Sequence, residues 1–104
     1  MSDDAIPAAT LVVMREVRSG PPELLMVRRT QRMAFAAGAM VFPGGRIDDA
    51  DRDLGGDDLT AAKVCAIRET IEETALTVGL SAPHDLQEQL HAGEPIADLL
   101  QRYA

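Results

Sequence analysis

The sequence predicts a single α/β domain. Three observations carry that reading: short β-branched apolar runs in the first half, a long stretch free of Gly and Pro in the middle, and two short amphipathic segments at the end. With 104 residues the chain supports one domain rather than two.

The elements follow in order. Residues 8–14 (AATLVVM) read as a buried strand, and residues 24–29 (LLMVRR) as its antiparallel partner across the Gly20-Pro21-Pro22 turn. Residues 30–39 leave helix and loop both open. Residues 40–42 (MVF) form a short strand that Pro43-Gly44-Gly45 stops. Residues 46–58 are an acidic, solvated loop holding six aspartates. The helix over 59–75 starts from an Asp57 or Asp58 cap, where a carboxylate suits the positive end of the helix dipole. A strand could begin within 74–80. Two short helices, 84–92 and 95–103, are split by Gly93-Glu94-Pro95.

Composition excludes several functions. Aromatics are only 3% of the chain and the net charge is −7, which argues against a nucleic-acid groove built on stacking platforms. The same charge disfavours anionic membranes, and the apolar runs fall far short of a membrane span. The acidic N-terminus does not resemble a secretory signal, so a cytoplasmic setting is expected. The single cysteine, Cys65, excludes a disulfide framework and reads as a buried, inert thiol. Met14, Met26, Met33 and Met40 read as core filler. His84 and His91 read as surface or packing residues.

Chemistry concentrates on the central helix. Glu69, Glu72 and Glu73 share one face at i, i+3 and i+4, with Arg68 able to reach Glu72. Val64, Ile67 and Ile71 lie on the opposite face. Three carboxylates on one stripe are either a solvated acidic face or hard-oxygen ligands for Mg²⁺ or Mn²⁺. The glycines at 44 and 45 would let backbone approach a ligand or metal closely.

Phe42-Pro43-Gly44-Gly45 followed by Arg68-Glu69-Thr70-Ile71-Glu72-Glu73 resembles the box of the Nudix hydrolases, G-x5-E-x7-R-E-U-x-E-E-x-G-U with U bulky and aliphatic. The match has three departures. Nine extra residues separate Gly45 from Arg68. No Glu holds the isolated middle position, where Asp51 falls when counted from Gly45 and Thr60 when counted back from Arg68. Ala75 stands where the family has Gly, at a cost of roughly 1 kcal/mol if that position needs φ > 0. The alternative is that the helix runs on toward Gly79.

The enlarged loop, together with Arg28-Arg29-Thr30, Phe35 and Gly38, is similar to the branch containing the peroxisomal coenzyme A diphosphatases. That branch's coenzyme A signature expects an Arg where Ala34 stands. The resemblance implies a Nudix-type α/β/α sandwich with a mixed sheet, of which about half is present, so that the domain is C-terminally incomplete. It further implies hydrolysis of the pyrophosphate bond in a nucleoside diphosphate linked to another moiety, of the coenzyme A or NAD/ADP-ribose kind. Glu69, Glu72, Glu73 and the Gly44 carbonyl would hold one to three Mg²⁺ or Mn²⁺ ions. Glu69, or a carboxylate outside the box, would act as base, and Arg68 would orient the glutamates. Arg28, Arg29, Gly44 and Gly45 would meet substrate.

Two other readings stand beside this one. Asp49 to Thr60 resembles the start of an EF-hand Ca²⁺ loop, but Leu54 and Thr60 replace its Gly and its bidentate Glu. A half-domain would be a non-catalytic or weakly active module. Its open sheet edge and uncovered Val64, Ile67 and Ile71 face would favour homo-oligomers.

Overall fold

A computed structural model describes residues 6–28, 38–82 and 84–103. Six short strands come first: β1 (Ala8–Thr10), β2 (Met14–Arg15), β3 (Glu23–Leu24), β4 (Val27–Arg28), β5 (Met40–Val41) and β6 (Gly44–Arg46). A 3-10 helix, Asp49–Arg52, leads to α1 (Asp58–Thr74), α2 (Leu86–His91) and α3 (Ile96–Tyr103). The pairs are β1 with β6, β2 with β3, and β4 with β5, and all three are antiparallel.

The first apolar run is divided because it serves two partners. Residues 8–10 pair with β6 in the register Ala8↔Arg46, Ala9↔Gly45 and Thr10↔Gly44. Residues 14–15 pair with β3. The expected hairpin is present, and an exposed Arg15–Glu23 ion pair at 2.6 Å closes it. Such a pair contributes at most about 1 kcal/mol.

The strand at Met40–Val41 does end before Pro43, but Gly44 and Gly45 are no turn; they open β6. Neither has a positive φ. Their role is close approach. A Cβ on Gly44 would collide with the Ala9 carbonyl, and one on Gly45 would lie 2.5 Å from the Glu69 carboxyl carbon. The strand can therefore lie flush between β1 and α1 only because both positions lack side chains.

Asp57 caps α1, its Oδ1 accepting from the Thr60 amide and hydroxyl, both at 2.9 Å. The helix starts and ends one residue earlier than the sequence suggested. It stops at Ala75, which takes the left-handed conformation at φ 65° and donates its N–H to Ile71 O at 2.8 Å. The position does require positive φ, and the continuation toward Gly79 does not occur. Residues 75–82 contain no strand.

The core sits on the Val64–Ile71 side of α1. α2 and α3 cover that side with Leu86, Leu90, Ile96, Leu99 and Leu100, each no more than 9% exposed. The expected uncovered apolar face is therefore corrected: Val64 and Ile71 are buried by the two short helices, and Ile67 packs half-buried at the edge of the cluster. The methionine reading is also corrected. Met14 is 60% and Met40 50% exposed, because a two-residue ladder offers neither a second layer to pack against. Met33 lies outside the described residues. His84 and His91 are exposed. Among the described residues, no helix is long and apolar enough to cross a membrane.

Candidate active site

The remaining side of α1 faces β6 and the 3-10 helix, and its interactions centre on Arg68. That side chain is 7% exposed. Nε donates to Asp51 Oδ1 at 2.7 Å and Nη2 to Asp51 Oδ2 at 3.0 Å, a bidentate pair. Nη2 also donates to the Arg46 carbonyl at 3.1 Å. Nη1 bridges Glu69 Oε1 at 2.9 Å and Glu72 Oε2 at 3.0 Å. Bonding to Asp51 raises the guanidinium pKa above its already high value, so its charge is permanent.

Asp51 is the residue that sequence reasoning missed. It lies in the loop read as solvated, yet it is 1% exposed. Its Oδ2 also accepts from the Asp48 amide at 2.8 Å. The one signal that could have found it was the count from Gly45, which puts Asp51 at the isolated acidic position. A shorter carboxylate reaches Arg68 because the 3-10 turn carries it inward. Of the loop's other acids, Asp57 is engaged with Thr60 and Asp58 with Arg52 at 2.7 Å, while Asp49 and Asp53 are exposed. The commitment of Asp51, the middle of the three motif aspartates, to Arg68 weighs against an EF-hand reading.

The three glutamates take different partners. Glu69 and Glu72 share Arg68, while Glu73 Oε1 accepts from the Gly44 amide at 3.3 Å. Burial raises the pKa of Glu69 above its ordinary 4.5, a hydrogen bond with Glu73 raises it further, and Arg68 opposes both. Among the described residues, no three His, Cys, Asp or Glu side chains converge as a ready cage for a metal ion. Each carboxylate is held instead by a donor. The expected ligand role of the Gly44 carbonyl finds a different atom engaged, the Gly44 N–H.

Beside Glu73 opens a cavity of about 440 Å³, lined by Val27, Arg28, Val41, Phe42, Gly44 and Gly45 among others. Arg28 Nη1 donates to the Gly38 carbonyl at 3.3 Å, which steadies the guanidinium at the wall. Arg29 lies outside the described residues. The site therefore brings together Glu69, Glu72, Glu73, Arg68, Gly44, Gly45 and Arg28 of the residues expected from sequence.

A carboxylate-bearing helix packed against a Gly-Gly strand is the arrangement to set beside known proteins. No family model matches the chain. A curated protein of Citrobacter koseri, described as the uncharacterized Nudix hydrolase NudL, is 35% identical over 65 residues, 62% of this chain and 30% of that protein. The crystal structure of a NUDIX hydrolase from Alicyclobacillus acidocaldarius superposes with a TM-score of 0.73 at 29% identity, over 96% of this chain and 55% of that one. The chain thus spans about a third of the curated relative and about half of the solved one. Both of these proteins are described as Nudix hydrolases, and the chain is similar to a part of each.

Proposed function

We propose that the chain carries the carboxylate centre of a Nudix pyrophosphohydrolase acting on a nucleoside diphosphate linked to another moiety. The observation that carries this reading is the α1 carboxylate set, anchored by the buried Asp51–Arg68 pair and opening through Glu73 onto a cavity with a cation at its wall.

The donors are hard oxygens of the kind a divalent cation takes, and to converge on one the carboxylates would turn from the protein donors that now hold them. Burial first, and Glu73 second, raise the Glu69 pKa, and the missing Cβ of Gly45 leaves the Glu69 carboxylate its space. Glu69, Glu72, Glu73 and the Gly44 carbonyl would hold Mg²⁺ or Mn²⁺. Bound there, the ion would neutralise phosphate charge and acidify a water molecule.

The chain's own groups do the rest. Glu69 takes the proton of the attacking water. Arg68 keeps Glu69 and Glu72 in register along the helix. Arg28 meets a phosphate oxygen, and Val27, Val41 and Phe42 give the nucleoside moiety an apolar wall. With a net charge of −7, the chain attracts a pyrophosphate only through such local cations. No nucleic acid or membrane is needed as partner. Positioning can be worth ~7–11 kcal/mol in such a reaction.

The test is product release from ADP-ribose, NADH and coenzyme A with Mg²⁺ or Mn²⁺, comparing wild type with Glu69→Gln/Glu73→Gln. Turnover that depends on the cation and disappears in the double variant is expected. Equal rates in the two proteins would overturn the assignment.

A further inference from the structure

We propose that the Cys65 thiol is a positioning residue: a buried donor that pins β6 to α1 and so keeps Gly44 and Gly45 against Glu73 and Glu69. The proposal rests on the reading of those carboxylates as the functional set.

The geometry is specific. Cys65 is fully buried. Its Sγ lies 3.2 Å from the Arg46 carbonyl and 3.5 Å from the Gly45 carbonyl, and Arg68 Nη2 approaches the sulfur at 3.8 Å. The Arg46 carbonyl therefore receives two donors, the thiol and Arg68 Nη2. Arg68 thus already ties this carbonyl to α1, the thiol is its second donor, and Arg68 has no further N–H to add there. Its five N–H groups are matched by Asp51 twice, Glu69, Glu72 and Arg46. β1 pairs with β6 along the strand, and Cys65 ties the same strand to the helix.

The tie acts beside the glycine strand that faces the carboxylates. The Glu69 carboxylate occupies the space a side chain at Gly45 would take, so the position of β6 sets where that carboxylate can lie. A shift of β6 would also alter the Gly44 amide bond to Glu73. Burial and the neighbouring Asp51 push the thiol pKa up to about 11, so the donor proton is retained through the neutral range.

A merely space-filling cysteine predicts the opposite ranking of substitutions. For packing alone, Cys65→Ala should match or exceed Cys65→Ser, because a buried hydroxyl is costlier than a methyl. For a positioning donor, Ser keeps the function and Ala loses it. The experiment measures amide hydrogen exchange at Gly44 and Ile47 by NMR, with Leu99 as internal control, and titrates Mn²⁺ into each protein. Cys65→Ala is expected to speed exchange at Gly44 and Ile47 by about tenfold relative to Leu99 and to weaken Mn²⁺ binding by about tenfold, with Cys65→Ser close to wild type. Wild-type exchange in Cys65→Ala, or equal loss in both variants, would overturn the positioning role. Should wild type bind no Mn²⁺ while the Ala-specific exchange persists, the tie stands and the metal assignment falls.

Discussion

The two sides of α1 are held by different physics. One side packs Val64 and Ile71 into an apolar cluster closed by α2 and α3. The other carries Cys65, Arg68 and Glu69 against β6 and the 3-10 helix through hydrogen bonds and ion pairs. The apolar side is tolerant of shape, since burial is non-directional and scales with area. The polar side is directional, since a guanidinium with five committed N–H groups accepts one arrangement of its partners. A buried ion pair adds little net stability over a well-packed apolar pair of the same volume. The comparison therefore assigns folding to one side of the helix and site geometry to the other.

The largest expected effect comes from breaking the polar side unevenly. Arg68→Met leaves Asp51 as an uncompensated buried charge and should cost about 3–5 kcal/mol in denaturant unfolding. Adding Asp51→Leu should restore much of that stability without restoring ligand binding. Recovery of both together would erase the proposed division of labour.

On the apolar side, Leu99→Ala removes a fully buried side chain and should cost about 2–5 kcal/mol. If the site amides Gly44 and Ile47 then exchange faster than the α2–α3 amides, the two sides are not separable as argued.

Ala75→Gly should stabilise the chain by about 1 kcal/mol, because Ala75 sits at φ 65° with its side chain exposed. A rise in Tm of roughly 4–8 °C corresponds to that gain. An unchanged or lower Tm would show that the helix end is not strained.

The smallest effect is a pH dependence at Glu69. Its native pKa is raised, so the folded state holds the proton more tightly than the unfolded one. That contribution is complete below 4.5 and is lost as pH rises through the native pKa. The Tm of wild type relative to Glu69→Gln should therefore increase as pH is lowered from neutral toward 4.5. A flat or reversed difference would contradict the crowding of Glu69 by burial and Glu73.

Local chemistry was legible in the sequence where the decisive contact is local. The Asp57 cap, the hairpin around Gly20-Pro21-Pro22, the two short helices and the Arg68–Glu72 pair all depend on residues a few positions apart. The partner of Arg68 was not, because Asp51 lies 17 positions away in a stretch whose composition reads as solvent-loving. Gly44-Gly45 read as a turn for a similar reason. Glycine signals freedom or close approach, and only the neighbours Ala9 and Glu69 decide which. The α1 face was expected bare because an amphipathic pattern reports that a face is apolar, not which segment covers it.

The central claim is that the α1 carboxylates beside Gly44 and Gly45 form a divalent-cation site prepared by the polar side of the helix. It is tested most directly by titrating Mn²⁺ into the ¹⁵N-labelled chain and following paramagnetic broadening residue by residue. The account predicts that the amides of Gly44, Gly45, Glu69 and Glu73 broaden first, and that Glu69→Gln/Glu73→Gln abolishes this. Broadening centred on Asp49 to Asp58 instead, or unaffected by the double substitution, would contradict it.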